Sequence, residues 1–158
     1  MSRKTGKLES LRLRDFRHSL PMELLKAREA AMSRFRPMLR DHGLTEQQWR
    51  VVRALAEFRR MDASELARRS FLLPPSLTRI LQVLEKDKGL VKRSGDASDQ
   101  RRSFLVLTAK GRRLFTRIAP DSEAIYAEIE QAFGSRRMDE LYRLLAGFYT
   151  ALGSPDAE

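Results

Sequence analysis

The chain has 158 residues, a hydrophobic content of 42%, a charged content of 33% and a mean hydropathy of −0.48. That is enough for one packed domain, and too polar for a membrane protein. Cysteine is absent, which excludes disulfides, thiolate nucleophiles and cysteine metal sites together.

The two histidines, His18 and His42, do not stand at a metal-binding spacing, so no metal is expected and no cofactor. There is no Gly-rich phosphate loop either, and an enzyme is not expected. No apolar run approaches the roughly eighteen residues of a membrane span. The basic start MSRKTGKLESLRLRDFRHSL lacks the apolar stretch of a secretory signal. It reads as an arm (1–19) of a cytoplasmic protein that has no membrane partner.

The net charge of +10 is unevenly spread. Residues 1–75 hold 17 Lys/Arg against 9 Asp/Glu, residues 76–113 hold 10 against 4, and residues 114–158 hold 4 against 8. A basic body with an acidic C-terminal part suits a polyanion at one end and protein contacts at the other.

In chain order, Leu24, Leu25, Met32, Phe35, Met38 and Leu39 mark one face of a long helix over 20–43. Pro21 fits its first turn, Pro37 should kink it, and Gly43 is a candidate for the residue that closes it. LTEQQWRVVRALAEF restarts with Thr45 and Gln48 as a capping box, and Trp49, Val52, Leu55 and Ala56 form its buried stripe. DASELARRS offers Asp62 or Ser64 as the cap of a short helix facing inward through Leu66 and Ala67.

In LLPPSLTRILQVLEK, Pro74 and Pro75 preset a first turn. Leu77, Ile80, Leu81 and Leu84 then face inward, leaving Ser76, Thr78, Arg79 and Gln82 outside. LVKR, a polar turn and RRSFLVL form a β-hairpin with an extended tip. Two helices follow, over 109–133 and 136–152. Pro120 should divide the first with a bend. Residues 153–158 are a tail.

Helix, helix, short helix, helix, hairpin, helix, helix is the order of a winged helix-turn-helix, a mainly α fold with a minor β part. Its second helix-turn-helix element reads base edges in the major groove through exposed N-terminal residues. Here those are Pro75, Ser76, Thr78 and Arg79, with Ser64 and Arg68 on the short helix before it. Arginine can grip guanine O6 and N7 together. On the hairpin, Arg93, Arg101 and Arg102 supply cations that a narrow minor groove attracts. Asp99 lies two residues before Arg101 and can orient it.

DQRRSFLVLTAKG (99–111) resembles the wing signature of the MarR family of winged-helix regulators, carried by Asp99, Arg101, Leu107, Thr108 and Gly111. LTEQQWRVVRAL, ELARRS and PPSLTRILQVLEK are similar to that family's three preceding helices. The stretch SLPMELLKAREAAMSRFRPMLRDHGLTEQQWRVVRAL is similar to MarR-type regulators of homoprotocatechuate degradation operons. One departure stands out. The family's pattern L-E-x-x-G-L-V appears here as LEKDKGLV, one residue longer between Glu85 and Gly89, and the turn must bulge.

The resemblance implies a homodimeric repressor. Residues 44–108 would bind DNA, and residues 20–43 and 109–152 would supply the dimerisation helices. Such a dimer reads double-stranded DNA at a pseudo-palindromic operator and is released by a small aromatic acid. By the same resemblance the acid sits where the first helix meets the second. Candidates are Arg17, His18, Ser19, Met22, Arg28, His42 and Trp49. Plainer readings stand beside these: Trp49 as core packing, His42 as a solvated helix end, Arg28 paired with Glu29 across the dimer. Two alternatives to the regulator remain, an architectural DNA binder without an effector and a winged-helix module that binds protein.

Overall fold

The computed structural model describes residues 15–16, 19–95 and 103–153. Among these residues six α-helices and one hairpin follow in order: α1 (Leu20–Asp41), α2 (Glu46–Phe58), α3 (Ala63–Arg69), α4 (Pro74–Gln82), β1 (Val91–Gly95), β2 (Ser103–Leu107), α5 (Ala109–Phe133) and α6 (Ser135–Ala151). This is the winged helix-turn-helix order. The chain divides into two units at Arg34/Phe35, within α1.

In the first unit α1 begins with Pro21 and Glu23 in its first turn, where neither costs a hydrogen bond and the acid meets the helix dipole. Lys26 pairs with Glu23 at 2.7 Å and Arg28 with Glu29 at 2.8 Å. Leu20, Leu24 and Leu25 are exposed.

In the second unit α1 runs unbroken through Pro37 to Asp41. Pro37 is exposed, so water can hydrate the carbonyl that it leaves without a partner. The end is a Schellman arrangement. The Gly43 N–H donates to Arg40 O at 2.9 Å, and the Leu44 N–H to Leu39 O at 2.9 Å. Gly43 takes φ +66, which a side chain would resist. Pro120 likewise does not divide the helix expected over 109–133. It is exposed within a single 25-residue α5.

The core gathers Leu39, Trp49, Val51, Val52, Leu55, Leu66, Leu77, Leu81, Leu84, Leu105, Leu107 and Ile118. Thr45 and Gln48 form the expected capping box on α2. At the C-terminal end of α4 the extra residue is absorbed by a π-turn over Val83–Asp87. The Lys88 N–H reaches back five residues to Val83 O at 3.0 Å, and Gly89 turns the chain at φ +62. Leu84 therefore stays fully buried, so the longer spacing widens one turn without disturbing the core.

The strands β1 and β2 pair antiparallel in the register Val91↔Leu107, Arg93↔Leu105, Gly95↔Ser103. A third, one-residue strand is absent from the sequence reading. Met61 bridges to Leu105, with the Leu105 N–H donating to Met61 O at 2.7 Å and the Met61 N–H to Leu105 O at 3.3 Å. One residue is too short to show a period. The hairpin is joined to α5 through Thr108, whose hydroxyl donates to Gly89 O at 2.7 Å and accepts from the Gly111 N–H at 3.0 Å.

Candidate nucleic-acid interface and effector site

The cap of α3 is Asp62, which accepts from the Glu65 N–H at 2.8 Å. Ser64 is thus not the cap but an exposed residue of the first turn, and Arg68 is exposed in the last. Beside them Arg69 pairs with Glu65 at 2.8 Å and lies over the Phe58 ring at 4.1 Å. Arg50 donates to Ser70 O at 2.9 Å, tying α2 to the turn that follows α3.

The helix α4 opens on Leu73, Pro74 and Pro75, and buries Leu77, Ile80 and Leu81 against the core. Thr78 and Arg79 face solvent, and Ser76 is half-buried. The Thr78 hydroxyl donates back to Pro74 O at 3.0 Å. Its methyl and oxygen lone pairs remain for an outside partner. Ser64, Arg68, Pro75, Ser76, Thr78 and Arg79 therefore lie on the two consecutive helices of the helix-turn-helix.

On the hairpin, Arg93 shares its strand face with Leu105, and its Nε lies 3.3 Å from Glu85 Oε1. That oxygen is buried and accepts no hydrogen bond, so the pair is a charge contact alone. Arg93 is then a cation partly offset by an internal carboxylate, an arrangement the sequence did not suggest. On the other face Arg60 stacks over Phe104 at 3.7 Å. Asp99, Arg101 and Arg102 lie outside the described residues.

Of the effector candidates, Arg17 and His18 also lie outside the described residues. Ser19, Met22 and Arg28 belong to the first unit. Ser19 O accepts from the Glu23 N–H at 3.0 Å, Met22 is in the first turn of α1, and Arg28 pairs with Glu29. In the second unit His42 is not a solvated helix end. Its side chain is only 16% exposed, and Nε2 lies 3.3 Å from Asp121 Oδ2 of α5.

Trp49 is buried and stacks on Phe115, with centroids 5.7 Å apart. One turn further along α2, Arg53 donates to the Tyr126 hydroxyl at 3.1 Å, and the Tyr126 ring meets Phe35 at 4.9 Å. Arg53 and Tyr126 escaped the sequence reading. The i, i+4 spacing of Trp49 and Arg53 could have flagged the first; nothing local points to the second. Together α2 and α5 bring a buried indole, a guanidinium and a phenol onto neighbouring turns, and a guanidinium beside a phenol can hold a carboxylate. Among the described residues no cluster of acids and histidines could hold a metal ion, and no helix is long and apolar enough to cross a membrane.

Residues 44–103 match the family model described as MarR family. The chain is 48% identical over 140 residues to the homoprotocatechuate degradative operon repressor of Escherichia coli, covering 89% of this chain and 93% of that protein. Among solved structures, the transcriptional regulator PA4135 superposes with a TM-score of 0.78 at 45% identity, over 84% of this chain and 96% of that one. NadR in complex with 4-hydroxyphenylacetate superposes with a TM-score of 0.74 at 41% identity, over 87% and 97%.

Proposed function

The chain belongs to the MarR family of DNA-binding transcription regulators, and on that premise we propose that it is a homodimeric repressor of an aromatic-acid catabolic operon, released from its operator by a small phenolic acid. The observation that carries this reading is the 48% identity, over nearly the whole of both chains, to a repressor of homoprotocatechuate degradation.

Residues 44–108 bind DNA. Ser64, Arg68, Pro75, Ser76, Thr78 and Arg79 enter or border the major groove, and Arg93, Arg101 and Arg102 of the wing reach the flanking minor groove and backbone, with Asp99 orienting Arg101. The helices over 20–43 and 109–152 dimerise. Support comes from the apolar side chains of α6, where Leu141, Leu144, Leu145 and Phe148 stand exposed in the single chain. A two-fold dimer demands a pseudo-palindromic operator.

Arg53 and Tyr126 bind the effector carboxylate, and Trp49 and Phe115 border its ring, with His42 nearby on the α1 end. Arg17, His18, Ser19, Met22 and Arg28 are carried by resemblance alone. The effector class follows from NadR, a structural neighbour bound to 4-hydroxyphenylacetate.

The test is a fluorescence-anisotropy titration against DNA from upstream of the protein's own gene cluster, with and without 4-hydroxyphenylacetate or homoprotocatechuate. Saturable binding weakened by one of the acids is expected. Saturable binding untouched by both discards the effector class. Binding no tighter than to random DNA at the same salt favours an architectural DNA binder.

A further inference from the structure

The turn between α3 and α4 differs from the basic, solvated surface around it. Phe71 is 69% exposed and Leu73 is 74% exposed, while Leu72 between them is buried. Phe71 also sits at φ +50, in the left-handed region where a Cβ is costly. The reason is local. The Phe71 N–H donates to Arg68 O at 3.1 Å and the Leu72 N–H to Ala67 O at 2.9 Å. That is the same helix-ending arrangement that closes α1, where the left-handed residue is Gly43.

At this second site the chain places an aromatic where glycine would serve better. The next position repeats the pattern. Leu73 is the N-cap of α4, in extended conformation, and makes no side-chain cap, although serine there would satisfy an orphan N–H. The backbone is well held. Ser70 is buried, and its carbonyl accepts from Arg50. Two large apolar side chains therefore project from a strained, pinned turn with most of their surface in water. Such a feature points to a contact outside the chain.

The occupant follows from continuity. The same turn delivers Pro75, Ser76, Thr78 and Arg79, the residues proposed above to read the major groove. There the apolar group that a base pair displays is the C5-methyl of thymine. We propose that Phe71 and Leu73 form an apolar edge that packs on thymine C5-methyl groups at the border of each operator half-site. This rests on the reading of α4 as the groove-reading helix.

The test uses the full-length protein and a duplex that it selects from a random-sequence pool, with thymines replaced one at a time by deoxyuridine. Wild-type protein should lose about fourfold in affinity at one or two thymines per half-site, the effect of one buried methyl group. Phe71→Gly and Leu73→Ser should bind the thymine duplex correspondingly more weakly and no longer distinguish uracil there. Both should melt at higher temperature than wild type, because glycine takes the left-handed turn freely and serine caps α4. Weaker binding by a more stable protein separates a lost contact from a damaged fold.

The proposal is overturned if uracil costs the wild type nothing at any thymine, or if both variants keep the full penalty. It is also overturned if the variants change the protein's size on a sizing column with uracil discrimination intact, which would make the patch a contact between copies. Failure of the underlying reading looks different: Arg79→Ala would then leave affinity for the same duplex unchanged.

Discussion

Gly111 packs against the carbonyl of Leu90 so closely that a Cβ on it would lie 2.1 Å from the oxygen and 3.3 Å from Leu107 Cδ2. The contact joins the first turn of α5 to the start of β1. The Thr108 N–H reinforces it by donating to the same Leu90 carbonyl at 2.9 Å. The Leu-Thr and Gly of the wing signature thus have a mechanical meaning here. They lock the hairpin to the helix proposed to carry the dimer.

Gly111→Ala must push backbone apart, since the obstructing atom is a carbonyl and not a flexible side chain. A loss of about 1–3 kcal/mol is expected, in the range of overpacking, read as a lower denaturation midpoint in urea. Thr108→Ala should cost about 1 kcal/mol as a lost cap. Gly111→Ala matching wild-type stability would mean that the hairpin and α5 separate easily.

Arg79 faces solvent on α4, and among the described residues it makes no ion pair. Arg79→Ala should cost about 1–3 kcal/mol of operator binding and relax preference at one position per half-site. Arg101→Ala should instead weaken binding to all sequences and lower the salt slope by about 1. Anisotropy titrations at several salt concentrations separate the two roles, and an unchanged slope for Arg101→Ala would take the wing off the DNA.

The exposed Leu145 and Phe148 of α6 should become buried between two copies. Leu145→Glu is expected to give monomers by analytical ultracentrifugation. Operator affinity should fall by about a hundredfold or more, because two linked half-site contacts are reduced to one. A variant that remained a dimer of full affinity would place the interface elsewhere.

Arg53 and Tyr126 are joined by one hydrogen bond across α2 and α5. Arg53→Ala and Tyr126→Phe should leave affinity for effector-free DNA within about twofold. They should raise the concentration of phenolic acid needed for release by about tenfold or more, the loss of a charge-assisted contact worth ~1.5–3 kcal/mol. Release curves unchanged in both variants would move the carboxylate site.

Deleting Lys86 removes the residue that the π-turn accommodates. Ordinary α-helical bonds should then extend to the Gly89 turn, with stability within about 1 kcal/mol of wild type and β1 kept in register. Loss of folding, seen by circular dichroism, would mean that the wide turn is required by the packing around Leu84 and Glu85.

Much of this protein is legible locally. The capping residues Thr45 and Thr108 and the closing Gly43 are signals carried within four residues of where they act, whereas the choice of Asp62 over Ser64 came from the structure. The 3.6-residue spacing of Leu77, Ile80, Leu81 and Leu84 likewise needs no partner to be read. The inserted residue near Gly89 was visible as a departure in spacing, but its form was not. A π-turn wins because Leu84 must remain buried while Gly89 still turns the chain into β1.

Pro37 and Pro120 misled in the other direction. A proline inside a helix loses one hydrogen bond, and whether that breaks the helix depends on whether water can reach the orphaned carbonyl. Both prolines are exposed, which only the packed structure decides. The same holds for the proposed effector site. Trp49 and Arg53 are one turn apart in the sequence, but Phe115 and Tyr126 reach them from a helix more than sixty residues away, and His42 meets Asp121 over a similar distance.

By itself, then, the sequence determined the helices, several of their caps, the hairpin and the basic balance of residues 1–113, because each is set by composition or by contacts between near neighbours. Tertiary structure alone decided which prolines a helix survives, which arginine faces a carboxylate and which aromatic stands strained in the turn before α4. Those outcomes depend on burial and on groups brought together from distant parts of the chain.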